Sequence, residues 1–249
     1  MLIDTHAHLW FDDFRNDLEE VLARAKVAGV EKIVVPGTDI ESSRKAVELA
    51  GKYSGVVYAA VGVHPEEVES ANTEKVRQII SENKDLVVAV GEVGIDLYAE
   101  KEKQTLDAQK KLLREQCELA LEFDLPVIIH TRNSLAEALE VLDALPKMPR
   151  GQFHCFSHDE VGIKQVLERV FHVSFCGNIT WCKRVAKLVS LVSDDRLLLE
   201  TDSPFMNPGK RNEPANVKNL AGKVAELREQ TFEQIAELTT ANAIRLFRL

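Results

Sequence analysis

Residues 1–10 read MLIDTHAHLW, with Asp4, His6 and His8 at alternate positions. The apolar start "LID" reads as a strand. Residues two apart on a strand point to the same face, so Asp4, His6 and His8 are expected to project together, the two histidines roughly 6–7 Å apart at the backbone. Imidazoles at that spacing can converge on one cation. Two histidines near a terminus can also be ordinary surface residues, so the weight of the pattern depends on whether it recurs.

It does recur. Short apolar runs that read as strands fall at Leu2–His6, Lys32–Pro36, Val56–Val61, Leu86–Gly91, Pro126–His130, Gln152–Cys155, His172–Cys176 and Leu197–Thr201. Amphipathic stretches lie between them. "NDLEEVLARAKVAG" carries Leu18, Val21, Leu22 and Ala25 at three- and four-residue spacing, with Gly29 as a stop, and "TLDAQKKLLREQCELALEF" carries Leu112, Leu113, Cys117 and Leu121. Such spacing marks helices. Eight strands, each followed by a helical pattern, predict a (β/α)8 TIM barrel, with a doubly wound open sheet as the alternative. The segment "TFEQIAELTTANAIRLFRL" predicts an extra C-terminal helix or helix pair on the outside. A length of 249 residues suits one barrel domain over residues 1–249.

Composition narrows the class. The chain is 45% hydrophobic and 29% charged, as a globular protein with a sizeable core would be. It has no apolar run long enough to span a bilayer. No basic segment followed by an apolar stretch opens the chain, so a cytoplasmic location is expected. The four cysteines, Cys117, Cys155, Cys176 and Cys182, show no CxxC spacing and are expected to be reduced. A net charge of −9 argues against non-specific coating of nucleic acid but allows local binding of a strand end.

In a barrel, chemistry sits at the C-terminal ends of the strands. Polar residues fall there: His6 and His8 after the first strand, His64 after the third, Glu92 after the fourth, His130 and Arg132 after the fifth, His154 on the sixth, Glu200 and Asp202 after the eighth. Five of the seven histidines occupy such ends. Singly, each has a plain structural reading: His130 and His154 as core histidines, Glu92 and Asp202 as helix caps, His64 as a turn residue before Pro65. His158 and His172 read as structural. Jointly, a ring of His6, His8, Glu92, His130, His154 and Asp202 would bury several unpaired polar groups, each at a cost of kilocalories. Bound cations remove that cost. Nitrogen and carboxylate donors without thiolates suit zinc, manganese or another divalent cation such as magnesium. Six ligands exceed one catalytic zinc, and two metals with a bridging carboxylate fit better.

Together "IDTHAHL", "VGVHP", "GEVGID", "LPVIIHTR", "FHCFS" and "LLLETDSP", in that order from residue 3 to residue 204, resemble the TatD family of metal-dependent deoxyribonucleases, within the amidohydrolase-like metallo-hydrolases. "KRNEPANV" resembles its substrate-side segment. The HxH pair alone is shared by many amidohydrolases; the six motifs together are specific. The resemblance implies two divalent cations: His6 and His8 on the first with Asp202 beside it, Glu92 bridging both, and His130 and His154 on the second. It also implies that His64 and Arg132 face the phosphate. Trp10 stands where the family usually has a small acidic or amide residue. Asn133, Ser134 and Ala136 also depart from the family pattern. These differences bear on loop contacts and substrate preference.

The implied chemistry is two-metal hydrolysis of a phosphodiester by an activated hydroxide. Asp202 is the candidate to orient or deprotonate the water and Glu92 the residue that holds the metals at working separation. Glu200 either supports the ligands or caps a helix. Arg132, Lys183, Arg184, Lys210 and Arg211 fall in loops expected on the same face, and Arg211 is a candidate substrate contact. A small basic patch suits a strand end, so 3′–5′ exonuclease action on single-stranded DNA is expected, without an obligate protein partner. A related metallo-hydrolase acting on a small amide, lactone or phosphoester would share every ligand. An idle barrel serving as a binding module would be expected to have lost one.

Overall fold

All eight expected runs form strands in a computed structural model, which describes residues 1–249 apart from the side chain of Glu102. They are β1 (Leu2–Asp4), β2 (Val30–Pro36), β3 (Val57–Val61), β4 (Val87–Asp96), β5 (Val127–Arg132), β6 (Gly151–Phe153), β7 (His172–Phe175) and β8 (Leu197–Leu199). Each pairs in parallel with the next, from β1 through β8. Beyond the ends of β1 and β8 the chains continue side by side: Thr5 N donates to Leu199 O at 3.1 Å, Asp202 N to His6 O at 2.9 Å and His8 N to Ser203 O at 2.7 Å. These bonds draw the sheet into a nearly closed (β/α)8 barrel, as expected.

The helices are α1 (Leu18–Val27), α2 (Ile40–Lys52), α3 (Thr73–Glu82), α4 (Glu100–Gln104), α5 (Leu106–Glu122), α6 (Leu135–Asp143), α7 (Glu160–Glu168), α8 (Lys183–Leu188), α9 (Val217–Arg228) and α10 (Phe232–Phe247). Local chemistry sets their ends. Asp39 and Ser42 form a capping box at the start of α2, and Thr231 and Gln234 form one at α10. Helix α1 stops at Gly29, whose φ of +88° suits glycine. Among the described residues, no helix is long and apolar enough to cross a membrane. All four cysteines are free.

Two features differ from the sequence expectation. Strand β4 runs on past Gly91 to Asp96. Gly94 permits this: at φ +154° its backbone lies so close to β5 that a Cβ there would collide with the His130 carbonyl oxygen. The C-terminal segment is the expected extra helix, α10, but it lies across the N-terminal end of the barrel rather than on its outside. Its Ala243, Leu246 and Phe247 pack with Ile3, Val34, Ala60, Ala89, Ile128 and Leu198 from the strands. Its Thr240 Oγ1 donates to Met1 O at 3.0 Å, and Asn242 Nδ2 donates to Leu197 O at 2.9 Å. With that end filled by apolar side chains, the polar groups gather at the other.

Candidate metal centre

Regular pairing in β1 stops at Asp4, and His6 and His8 stand on the extended segment that closes the barrel against residues 199–203. Alternation brings the two rings together, their Nε2 atoms 3.0 Å apart. Asp4 does not join them. Its carboxylate accepts from His6 N at 3.2 Å, Thr201 N at 2.9 Å and Thr201 Oγ1 at 2.5 Å, stapling the two closing segments. Burial pushes the Asp4 carboxyl up to about 8, against the pull of these hydrogen bonds.

Glu92 sits at the centre, buried, and its two oxygens face different partners. Oε2 lies 3.3 Å from His6 Nε2 and 3.5 Å from His8 Nε2. Oε1 lies 2.9 Å from His130 Nδ1 and 2.8 Å from His154 Nε2. Asp202 Oδ1 completes the first group at 3.7 Å from His6 Nε2 and 3.6 Å from His8 Nε2. The six residues expected from sequence therefore meet in one place around the Glu92 carboxylate, His154 also lying within reach of His6 and Asp202, and His64 within reach of Glu92 and His130. Burial pushes the Glu92 carboxyl up, but the surrounding histidines His154, His64 and His6, with the His130 hydrogen bond, hold it well below the usual range.

The outward-facing ring nitrogens decide what faces inward. His8 Nδ1 lies 3.3 Å from Pro36 O, His130 Nε2 lies 2.9 Å from Asp96 Oδ2 and His154 Nδ1 lies 3.4 Å from Glu200 Oε1. His154 Nδ1, near Glu200, makes no hydrogen bond among the described residues, whereas the outer nitrogens of His8 and His130 face acceptors and so carry the proton of the neutral ring, leaving lone pairs aimed inward. Those lone pairs point at carboxylate oxygens and at neighbouring rings, His130 Nδ1 and His154 Nε2 being 3.1 Å apart. Acceptors facing acceptors repel unless protons or cations stand between them. Burial disfavours charge on His130 and His154, yet Asp96 and Glu92 raise the first, and Glu92 and Glu200 hold the second well above its ordinary value. The donor set thus fits divalent cations: imidazole nitrogen and carboxylate oxygen, with the proton-bearing nitrogens turned away.

Two buried carboxylates brace the donor histidines. Glu200 accepts from Cys155 N at 2.6 Å and Ser174 Oγ at 2.6 Å besides facing His154, so of its two expected roles the structure supports the first. Asp96 was not singled out from sequence. Its Oδ2 meets both His130 Nε2 and Arg132 Nε, the latter at 2.8 Å, while Oδ1 accepts from Tyr98 N at 2.8 Å. The available signal was parity: Glu92, Gly94 and Asp96 share one face of β4.

His64 Nδ1 accepts from Glu66 N at 3.2 Å, which places the proton of the neutral ring on Nε2, 3.4 Å from Glu92 Oε1. His64 therefore faces the site as a donor. The centre lies at the base of a cavity of about 570 Å³ whose lining includes Phe11, Thr38, Glu66, Glu67, Arg132, Phe205 and Met206. Arg132 rests over the Tyr98 ring, 4.5 Å from its centroid, and pairs with Glu66 at 2.8 Å.

The other expected basic residues do not join this wall. Arg211 is drawn off by Asp17, at 2.7 and 2.6 Å, and lies over Phe14. Arg184 donates to the carbonyls of Ser157 and His158, and with Lys183 it lines a separate groove beside Asp159 and Glu160. Lys210 is solvent-exposed. The expected basic patch is thus reduced, at the cavity, to Arg132. A carboxylate holds Arg211, and backbone carbonyls hold Arg184.

A parallel eight-stranded barrel with nitrogen and carboxylate donors converging at its C-terminal end is the frame of a metal-dependent hydrolase. The family profile described as "TatD related DNase" matches residues 3–248, and the chain belongs to that family. The metal-dependent hydrolase YabD of Bacillus subtilis is 40% identical over 259 residues, covering 100% of both chains. The 3′-5′ ssDNA/RNA exonuclease TatD of Cronobacter sakazakii is 33% identical, covering 99% of this chain and 97% of its own. The crystal structure of YjjV, a TatD homologue from Escherichia coli K12, superposes with a TM-score of 0.93 at 33% identity, covering 100% of this chain and 98% of that one.

Proposed function

We propose that this protein is a two-cation nuclease that shortens single-stranded DNA from its 3′ end. In this reading His6, His8 and Asp202 hold one divalent cation, His130 and His154 hold the other, and Glu92 joins them. The observation that carries it is the division of Glu92: one oxygen turned to each donor group, within 2.8–3.5 Å of the imidazole nitrogens. The imidazole-rich set favours zinc over magnesium. Such a pair of cations would lower the pKa of a water and offset charge on the phosphoryl oxygens.

The chain's own groups then have distinct tasks. The Asp202 side chain keeps 13% of its surface open, against 4% for Glu92, so it is the carboxylate able to orient an incoming water and take its proton. His64 Nε2–H is placed to donate to a phosphate oxygen or leaving group. Arg132 can keep its buried partner Asp96 and exchange the exposed Glu66 for phosphate. Giving up a surface pair costs at most about 1 kcal/mol, and a guanidinium suits phosphate geometry. The exonuclease named among the relatives, which acts on ssDNA and RNA, supports the substrate class.

The test is a gel time course of the metal-loaded protein on 5′-labelled single-stranded DNA, duplex DNA and RNA, with a panel of small amides, lactones and phosphoesters alongside. Stepwise 3′ shortening of the single strand is expected. Turnover confined to the small-molecule panel would refute the nuclease reading and leave a metallo-hydrolase of another specificity.

A further inference from the structure

Three aromatic rings stand beside the metal-ligand groups, and the hydrolytic chemistry uses none of them. Phe205 is 48% exposed, although it is large and apolar. Its ring meets Phe11 edge to face, with centroids 5.3 Å apart, and Phe11 in turn stacks on Trp10 at 4.3 Å. The group is fixed to the ligands. Trp10 Nε1 donates to Pro36 O at 2.7 Å, the same carbonyl that faces His8 Nδ1. Phe11 lies three residues after His8 and Phe205 three after Asp202, so the loops that present the ligands also present the rings. His8 is 5.8 Å from Phe11 and 6.1 Å from Phe205, centroid to centroid. Phe11 and Phe205 both line the cavity wall.

We infer that Phe205, backed by Phe11 and Trp10, is a stacking platform for the unpaired nucleobase next to the scissile phosphate. The inference rests on the nuclease reading above and specifies how that site selects its substrate. A base paired in a duplex has its faces covered by its neighbours. A base at a single-stranded end can leave its stack and lie on an aromatic ring, an interaction tolerant of base identity because every base has a π-face. A phosphate at the ligand groups would leave its base one ring away from His8, where Phe205 stands. The platform would also bind without a broad basic surface, in keeping with the single arginine on the cavity wall and the chain's net charge of −9.

The experiment compares kcat/KM on a 5′-labelled single strand with kcat/KM on the same strand carrying an abasic residue at the 3′-terminal or the penultimate position. At one of the two positions the wild type should favour the base-bearing strand by about five- to a hundredfold. In Phe205→Leu, which keeps apolar bulk without a π-face, that ratio should fall towards one, and Phe205→Tyr should restore it. A second readout needs no turnover. A strand with 2-aminopurine at the same position should be quenched on binding chelator-treated wild type and much less on binding Phe205→Leu. An unchanged ratio and unchanged quenching in a folded Phe205→Leu would overturn the platform while leaving the nuclease reading intact. Failure of the wild type to shorten any strand would refute the nuclease reading, and the quenching comparison would then decide the platform alone.

Discussion

Replacing Asp96 with asparagine alters the centre without touching a proposed ligand. Oδ1 would keep its bond from Tyr98 N. The group replacing Oδ2 would be an amide NH2, a donor, now facing the Nε2–H of His130 and the Nε–H of Arg132, formerly 2.9 and 2.8 Å from an acceptor. Arg132 is 44% exposed and can turn to Glu66 or water, so its share of the cost is small. His130 is confined. It either keeps its proton against a donor or moves it to Nδ1, which removes the lone pair aimed at Glu92 and His154. Losing a hydrogen bond to a charged acceptor costs about 1.5–3 kcal/mol, which is roughly ten- to a hundredfold in affinity. Calorimetric titration of chelator-stripped protein should therefore show one cation bound about ten- to a hundredfold more weakly in Asp96→Asn and the other nearly unchanged. The rate on a single-stranded oligonucleotide should fall in step. Two wild-type affinities would refute the claim that Asp96 sets the His130 tautomer and with it the second group.

Glu92→Gln should cost both cations and abolish activity, because the amide can offer only one oxygen where two groups each need one; retention of two tightly bound metals at near-normal rate would remove Glu92 from the role of shared ligand. Arg132→Lys should bind metal normally but lose about ten- to a hundredfold in kcat/KM on DNA, a lysine being unable to reach Asp96 and a phosphate through a planar fork; wild-type kinetics would return Arg132 to the status of a surface charge. His172 bears on acid stability. Burial, helped by Arg196 and Arg245, pushes its imidazole down from 6.5 to about 4. The unfolded chain then binds a proton that the folded chain refuses, so this stability is fully present above pH 6.5 and lost as pH falls towards 4. Between pH 7 and pH 4.5 the wild type should lose about 2.5 kcal/mol more than His172→Gln by urea unfolding, and equal losses would show that His172 does not titrate in that way.

What the sequence by itself determined was the order of elements and the location of the candidate donors. Strand parity, helical spacing and the count of eight alternating units are local signals. Once they specify a parallel barrel, every strand end is brought to one face by topology, so His6, His8, Glu92, His130, His154 and Asp202 had to converge. Tertiary structure decided where each side chain turned. Asp4 shares parity with His6 and His8, yet Thr201, nearly two hundred residues away, offers it two hydrogen bonds, and it leaves the centre. Arg211 lies in the expected loop but is taken by Asp17, and Arg184 by two carbonyls. Helix α10 is amphipathic in sequence, and only the open end of a barrel rimmed by Ile3, Val34 and Ile128 makes it a plug rather than an outer layer. The partition of Glu92 between two groups and the approach of Phe205 to Phe11 depend on loops from different strands meeting. Periodicity records which face of its own element a residue occupies. The partner that a long or charged side chain finds there is set by distant segments, and only the closed barrel brings those segments within reach.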